Sequence, residues 1–252
     1  MTLTLTPLQG IPMVQSGDDL SAFIAEAMAR AGLELQSGDI FVLAQKIVSK
    51  AEGRLIHLSQ VTPSDKALEL AKESQKDGRL VELILQESRE VVRTRPGLIV
   101  VEHRLGFVSA NAGIDHSNVM ANGGDAVLLL PIDPDASAEA LRTKLEVATG
   151  QNIGVLIIDS HGRAWRFGTV GVTIGVANVP SVLDLRGQPD LFGNELMATE
   201  VGVADELAAA ASLIMGQADE GIPVVHVRGF PYELEAGAMD ELLRPKQGDL
   251  FR

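Results

Sequence analysis

The segment IGVLIIDSHGRAWR, residues 153–166, contains the strongest strand signal in the chain. Five of the six residues at 153–158 are aliphatic and the sixth is Gly154, a run that is typical of a strand buried on both faces. Asp159 follows this run directly, and a buried carboxylate without a partner is very costly. We therefore expect Asp159 to lie at the end of a strand, facing a metal ion, a basic side chain or backbone N–H groups.

Other apolar runs predict the remaining strands, and segments with helical spacing of apolar residues predict the helices. Strands are expected at 2–9, 40–44, 98–101, 126–132, 171–177 and 223–227. Helices are expected at 20–31, 64–76, 80–92 and 195–215, with one more that begins at Asp135 or Ser137 and ends at Gly150. Turns are expected at 10–13 and 123–125, and the residues from Tyr232 onward are expected to form a surface tail.

The order of these elements predicts how the chain is organised. Strands and helices interleave without a strict βαβ order, which favours an α+β or complex α/β fold with two interwoven lobes. The helix at 195–215 is expected to be the longest, and Ala208–Ala211 give it a narrow face suited to close packing against another backbone.

The composition restricts the classes of function. The 34 acidic and 21 basic residues give a formal net charge of -13, which argues against nucleic-acid binding. The absence of cysteine excludes disulfides and thiolate chemistry. The first residues lack the pattern of a signal peptide, and no apolar run reaches the length of a membrane span. We expect a cytoplasmic protein with a small-molecule site and no membrane partner.

A second polar segment, RLGFVSANAGIDHSN at 104–118, gathers Asn, Asp, His and Ser after a short predicted strand. Asp115 and Asp159 together offer two carboxylates, which suit Mg²⁺ or Mn²⁺ better than zinc. Such ions neutralise the phosphates of a nucleotide during phosphoryl transfer. An ordinary role as turn or cap residues is equally compatible with the pattern, and His116 and His161 are candidates only for supporting contacts.

A third polar segment, QKIVSKAEGR at 45–54, follows the apolar run at 40–44. Ser49, Lys50 and Arg54 could face phosphate oxygens there, and a solvated turn is the alternative. The sequence lacks the GxxxxGK[ST], GxGxxG, GxSxG and HExxH patterns, so Walker, Rossmann, serine-hydrolase and HExxH zinc sites are not indicated.

Several long segments, taken together and in order, closely resemble the coenzyme F420-0:L-glutamate ligase family. They are IVSKAEGR (47–54), LILQES with EVVR (83–93), RLGFVSANAGIDHSNV (104–119), DSHGRAWRFG (159–168) and FGNELMATEVGVADELAAAASLIMGQADEGIPVVHVRG (192–229). The resemblance implies an α+β fold of two intertwined lobes with mixed β-sheets and flanking helices. It also implies one ligase unit over residues 1–252, a homodimer, and no fused nitroreductase-like domain after the matched region.

The resemblance also implies an activity. In that family, GTP phosphorylates the terminal carboxylate of a deazaflavin coenzyme precursor, and the amino group of L-glutamate attacks the acyl phosphate. The products are an amide, GDP and phosphate. A metal-dependent phosphohydrolase that binds GTP and a non-catalytic nucleotide-binding homologue are the alternatives. The segment 180–190, the number of glutamates added and a role for K⁺ stay open.

The resemblance assigns site residues by position. Asp115 and Asp159 match the catalytic, metal-binding aspartates, Ser160 stands where a metal-binding Thr is usual, and Gln217 matches a ligand of a second ion. The ions would be Mn²⁺ or Mg²⁺. The positions that match GTP contacts are Ile11, Pro12, Met13, Val14, Ser49, Arg54, Asn118, Met215, Gly216, Gln217, Ala218, Asp219, Glu220, Gly221 and Ile222.

Overall fold

The computed structural model of the protein describes residues 2–119 and 125–249. Within those ranges helices and strands occur in mixed order, which confirms the predicted α+β class. The helices are α1 (Leu20–Arg30), α2 (Gln45–Ala51), α3 (Asp65–Ser74), α4 (Gly78–Gln86), α5 (Pro134–Thr149) and α6 (Val203–Met215). The strands are β1 (Thr4–Pro7), β2 (Ile40–Ala44), β3 (Leu55–His57), β4 (Ser88–Arg95), β5 (Leu98–His103), β6 (Val108–Ala110), β7 (Ala126–Leu128), β8 (Gly154–Arg163), β9 (Arg166–Ala177), β10 (Leu183–Asp184), β11 (Glu200–Val201) and β12 (Val224–Arg228).

A five-stranded sheet with the order β1-β12-β2-β8-β9 lies at the centre of the molecule. Strands β2 and β8 pair in parallel, and the other neighbours are antiparallel. Because successive side chains of a strand point to opposite faces, Phe41 and Leu43 pack with α1 and α5, whereas Ile40 and Val42 pack with α6. The sheet is therefore covered on both faces, as the apolar run at 153–158 predicted.

A second group of elements lies between α2 and α5 in the chain. Strands β4, β5 and β6 form one antiparallel sheet, and β3 pairs with β7. Their apolar side chains pack with α3 and α4 in a core of their own, which includes Ile84, Ile99 and Val127. The chain thus leaves the central sheet after α2 and returns to it with α5. The description of the whole chain as one ligase unit of two interwoven lobes stays a prediction.

Helix α6 packs on β9 at Gly171, where the two backbones approach closely. A Cβ added at Gly171 would lie 2.6 Å from the carbonyl oxygen of Ala208 and 2.6 Å from Cβ of Ser212, distances that no real side chain tolerates without a shift. Ala208 and Ala211 are fully buried. The close-packing face predicted at Ala208–Ala211 is therefore confirmed, and glycine at the contact on β9 is what permits it.

Strand β8 continues beyond its predicted end at Ile158, through Arg163, and pairs with β9 along this extension. Asp159 therefore lies within a β-hairpin, and its predicted position at the end of a strand is wrong. The outer part of the hairpin is exposed at most positions on both strands. Neither an apolar run nor an apolar–polar alternation marks such a strand in a sequence.

Two predicted helices are shorter than expected. The helix predicted at 80–92 ends at Gln86, and Val91 and Val92 belong to β4, in which Val91 pairs with Val101 of β5. Their β-branched side chains favour a strand over a helix. The helix predicted at 195–215 begins only at Val203, so α6 has 13 residues and α5 has 16 residues. The prediction that 195–215 is the longest helix is wrong.

The start of α5 also differs from the prediction. Its N-cap is Asp133, whose carboxylate accepts a hydrogen bond from the N–H of Ala136 at 3.0 Å, and neither Asp135 nor Ser137 has this role. The strand predicted at 126–132 ends at residue 128. Asp135 instead accepts a hydrogen bond from the N–H of Val176 on β9.

The segment from residue 232 onward is not a surface tail throughout. Met239 is buried, and its N–H donates to the carboxylate of Asp135 at 3.1 Å. The turn predicted at 123–125 lies outside the described residues except for Asp125. In the part of the chain that the structure describes, no helix combines the length and apolar character needed to cross a membrane.

Candidate active site

A cleft with a volume of about 570 Å³ opens at the carboxyl end of β2, beside residues 158–160 in the middle of the parallel strand β8. The carboxyl end of a parallel strand is where ligands commonly bind in open α/β sheets. It is lined by the loop at 11–14, by the start of α2 and by the segment 215–223. Its polar lining residues are Gln45, Lys46, Lys50, Asn118, Asp159, Ser160, Ser212, Gln217, Asp219 and Glu220.

Most of the predicted nucleotide contacts line this cleft. All of 11–14 and 215–222 do so, and Asn118 joins them, with its Nδ2 donating to the carbonyl oxygen of Ala218 at 3.2 Å. Next to the lining loop at 11–14, the guanidinium of Arg30 donates to the carbonyl oxygen of Gly10 at 2.9 Å and so fixes the start of that loop. Segments far apart in the sequence thus line one cleft.

Three of the four predicted metal ligands also line the cleft, namely Asp159, Ser160 and Gln217. The hydroxyl of Ser160 donates to Oε1 of Gln217 at 2.8 Å. The Nε2 of the same amide donates to the hydroxyl of Ser212 at 3.0 Å, one turn before the end of α6. Ser212 therefore holds the amide with its oxygen directed toward Ser160.

Asp159 has a nearly buried carboxylate, with its side chain 12% exposed. Burial raises the pKa of Asp159, but several contacts outweigh it and leave the pKa below its ordinary value. These contacts are His161, whose Nε2 lies 2.9 Å from Oδ2, the N–H of Ser160 and the charge of Lys46. The protein itself therefore favours the charged form of this carboxylate.

Asp115 does not line the cleft, but it contacts two residues that do, Gln45 and Lys46. Its backbone forms an isolated antiparallel bridge with Leu128. Its carboxylate accepts a hydrogen bond from Nε2 of Gln45 at 2.8 Å and forms an ion pair with Lys46. Burial, reinforced by the negative charge of Asp159, raises the pKa of Asp115, and the contacts from Lys46 and Gln45 only partly oppose this rise.

Gln45 and Lys46 are site residues that the sequence analysis missed. Both lie at the first turn of α2, directly after β2. The charge of Lys46 lowers the pKa of Asp159 as well as contacting Asp115, so one ammonium group serves both carboxylates. Lys50 lines the cleft as considered from the sequence, and its Nζ donates to the carbonyl oxygen of Asn118 at 2.8 Å. The signal for these two residues in the sequence is their position directly after the apolar run at 40–44.

The structure does not bring Ser49 and Arg54 to the cleft. Ser49 is fully buried and donates to Oε1 of Gln45 at 2.8 Å. Arg54 donates to the carbonyl oxygen of Leu130 and to Glu87, each at 2.9 Å. The solvated turn considered for 45–54 is wrong, because 45–51 is a helix with a buried face.

The donors at the cleft are suited to a hard cation. Across residues 2–119 and 125–249, no three His, Cys, Asp or Glu side chains gather around a common metal position. The predicted set contains only two carboxylates, and a serine hydroxyl and a glutamine oxygen complete it. All four donors are oxygens, which Mg²⁺ and Mn²⁺ prefer. The ammonium of Lys46 already lies beside the carboxylate of Asp115, where a positive charge is needed.

Two carboxylates, two lysines and a cleft beside the central sheet describe an α+β protein with a candidate small-molecule site. The model of one family, F420-0:gamma-glutamyl ligase, matches residues 10–229. The coenzyme F420:L-glutamate ligase of Methanothermobacter thermautotrophicus is 49% identical over 254 residues, covering 100% of both chains. The enzyme of the same name from Methanopyrus kandleri is 45% identical, covering 100% of this chain and 98% of its own, and that from Methanocaldococcus jannaschii is 43% identical, covering 96% and 94%.

The chain therefore belongs to the F420-0:gamma-glutamyl ligase family. The match spans the cleft walls, α2 and the hairpin of β8 and β9. It confirms the resemblance found in the sequence.

Proposed function

We propose that this protein joins L-glutamate to a deazaflavin coenzyme F420 precursor through an amide bond, with GTP as the phosphoryl donor. The observation that carries the proposal is the match over the full chain to relatives named coenzyme F420:L-glutamate ligase. The cleft supports it, because the segments assigned to GTP by resemblance surround one cavity large enough for a nucleotide.

The proposed reaction has two steps. A carboxylate oxygen of the precursor attacks the γ-phosphorus of GTP, and GDP leaves. The amino nitrogen of L-glutamate then attacks the acyl carbon, phosphate leaves, and the nitrogen loses a proton. Phosphorylation is needed because a free carboxylate is a poor electrophile, and the first step depends mainly on positioning and charge stabilisation.

Asp115, Asp159, Ser160 and Gln217 would hold the divalent ions, Mn²⁺ or Mg²⁺. When bound, such ions neutralise charge on the transferring phosphoryl group. Lys46 and Lys50 bind phosphate oxygens in this proposal, and their position on α2 supports the role. In a chain with a net charge of -13, an anionic substrate depends on such local cations.

We also propose that the protein is a homodimer. The hairpin of β8 and β9 carries Trp165, which is 88% exposed, and Phe167, which is fully exposed. Leu191 and Phe192 add further exposed apolar surface. A two-stranded ribbon is at best marginally stable by itself in water, so a second copy of the chain that covers this hairpin would stabilise it.

The proposed function is tested by incubating the protein with the glutamate-free precursor, L-glutamate, GTP and Mn²⁺, and measuring product masses. The expected result is an added glutamyl residue, with one GDP formed for each amide. GTP hydrolysis that does not require glutamate would favour the phosphohydrolase alternative, and no GTP turnover would favour the non-catalytic one. Parallel reactions with ATP, and with and without K⁺, test the nucleotide and the monovalent ion.

A further inference from the structure

Two buried side chains of α2 form a directed chain of hydrogen bonds that ends on Asp115. The hydroxyl of Ser49 donates to Oε1 of Gln45 at 2.8 Å, and Nε2 of Gln45 donates to Oδ2 of Asp115 at 2.8 Å. Gln45 is 1% exposed and Ser49 is 0% exposed. Water therefore cannot readily replace a bond that is lost, and each donor matters to the orientation of the next group.

The hydroxyl of Ser49 donates to an acceptor that is unusual for a serine inside a helix. Such a hydroxyl commonly donates to the backbone carbonyl four residues earlier, as Ser74 does to Leu70 in α3 at 2.7 Å. Ser49 instead donates to the side chain four residues earlier. An amide has one accepting and one donating end, so a donor on Oε1 leaves Nε2 to face the carboxylate. The opposite orientation would place two oxygens against each other.

The contact from Gln45 differs in kind from the contact made by Lys46. An amide fixes the carboxylate without adding a positive charge, so it leaves the full negative charge of Asp115 for a cation. Lys46 both positions and neutralises the same group. If Lys46 turns toward substrate phosphates, Gln45 still holds Asp115 in place.

We propose that Gln45 and Ser49 are positioning residues that hold the carboxylate of Asp115 in the orientation that binds the divalent ion. The proposal rests on the proposed function, in which Asp115 is a metal ligand. It gives Ser49 an indirect role through Gln45, in place of the direct GTP contact that the resemblance assigned. Supporting groups of this kind commonly change metal affinity by about 10- to 100-fold.

The test measures Mn²⁺ binding directly, by the loss of the free-ion signal in electron paramagnetic resonance, with GDP present. Ser49→Ala and Gln45→Met are expected to weaken Mn²⁺ binding by about 10-fold or more. The Mn²⁺ concentration for half-maximal ligation should rise by a similar factor, whereas kcat at saturating Mn²⁺ should fall much less. Ser49→Thr keeps the hydroxyl and is expected to restore most of the affinity.

Ser74→Ala is the matched control, because Ser74 is also fully buried on a helix and lies far from the cleft in the second core. It should lower the melting temperature about as much as Ser49→Ala while leaving Mn²⁺ affinity unchanged. Wild-type Mn²⁺ affinity in both Ser49→Ala and Gln45→Met would overturn the proposal. Weakened binding in a protein that fails to ligate glutamate would support the positioning role while rejecting the proposed function.

Discussion

The carboxylates near the two ends of β2, Asp39 and Asp115, have pKa values shifted in opposite directions. At the amino end, Asp39 is 1% exposed and accepts hydrogen bonds from Arg228 at 2.8 and 2.7 Å and from the N–H of Gln36 at 2.9 Å, with Nε2 of His226 also 2.9 Å away. Burial raises the pKa of Asp39, but these partners outweigh it and bring the pKa to about 2. At the carboxyl end, burial wins and the pKa of Asp115 is raised.

The difference separates a structural carboxylate from one that is available to a ligand. The partners of Asp39 stabilise its charge within the folded protein, so it needs nothing more. The partners of Asp115 do not fully offset its burial and the nearby negative charge of Asp159. A bound cation would therefore stabilise the charged form of Asp115. A buried carboxylate whose pKa is shifted in this way, next to a cleft, is a candidate for function. The following predictions test the comparison, from the largest expected effect to the smallest.

Asp115→Asn should abolish most activity while leaving the fold intact. Removing one charge from the proposed metal site is expected to lower kcat/KM by about 10³-fold, or roughly 4 kcal/mol. The free energy of unfolding should stay the same or increase, because a carboxylate with a raised pKa is costly to ionise in the fold. Mass-spectrometric assays and urea denaturation measure the two effects. Asp65→Asn, at an exposed site on α3, is the control, and near-normal turnover in Asp115→Asn would refute the metal assignment.

Asp39→Asn should have the opposite profile. It removes the charge that pairs with Arg228 and His226, and breaking such a buried pair is expected to cost about 3 kcal/mol of unfolding free energy. Activity per folded molecule should change little, because Asp39 lies at the far end of the strand. Urea denaturation and assays well below the midpoint measure both quantities. A large loss of kcat/KM in the folded variant would contradict the distinction between the two ends.

Lys46→Met should weaken nucleotide binding. The variant removes an ammonium that contacts Asp115 and lines the cleft, so we expect the KM for GTP to rise by about 100-fold, or roughly 3 kcal/mol. Lys144→Met, which removes an exposed lysine on α5 that pairs with Asp19, is the control. Steady-state kinetics at fixed Mn²⁺ separate KM from kcat. An unchanged KM would remove Lys46 from the phosphate-binding role.

The decrease in the free energy of unfolding at acid pH should depend on Asp39. Its folded pKa of about 2 lies below the ordinary 3.8, so its contribution is present above pH 4 and is lost as the pH falls toward 2. The size of this contribution is about 2 kcal/mol. Glu87, with a pKa lowered from 4.5 to about 2, adds a loss of the same sign. Urea midpoints between pH 5 and pH 2 should fall less steeply in Asp39→Asn than in the wild type, and parallel curves would argue against this linkage.

The sequence allowed the inner elements of the fold to be predicted because their signal is the burial of apolar runs. The prediction of β2 at 40–44 is confirmed at both ends. The outer part of β8 could not be predicted, since its exposed residues obey no apolar pattern, and the two-residue strands β10 and β11 are too short to give one.

The resemblance assigned whole segments to GTP, and 11–14 and 215–222 do line one cleft, but their contact with a nucleotide stays a prediction. Whether a single residue faces the cleft depends on the direction of its side chain, and this could not be predicted. Ser49 and Lys50 are neighbours in the sequence, but the turn of α2 directs Ser49 into the core and Lys50 into the cleft. A helix rotates successive residues by 100°, and the pattern at 45–54 does not predict that helix.

The close contact at Gly171 has a consequence for the shape of the cleft. Helix α6 rests on that glycine, and its last turn carries Ser212 and Met215, which line the cavity. A methyl group at 171 would push α6 away from the sheet, together with the cavity-lining residues in its last turn. A residue of β9 that does not itself line the cavity therefore helps to set the cavity's width.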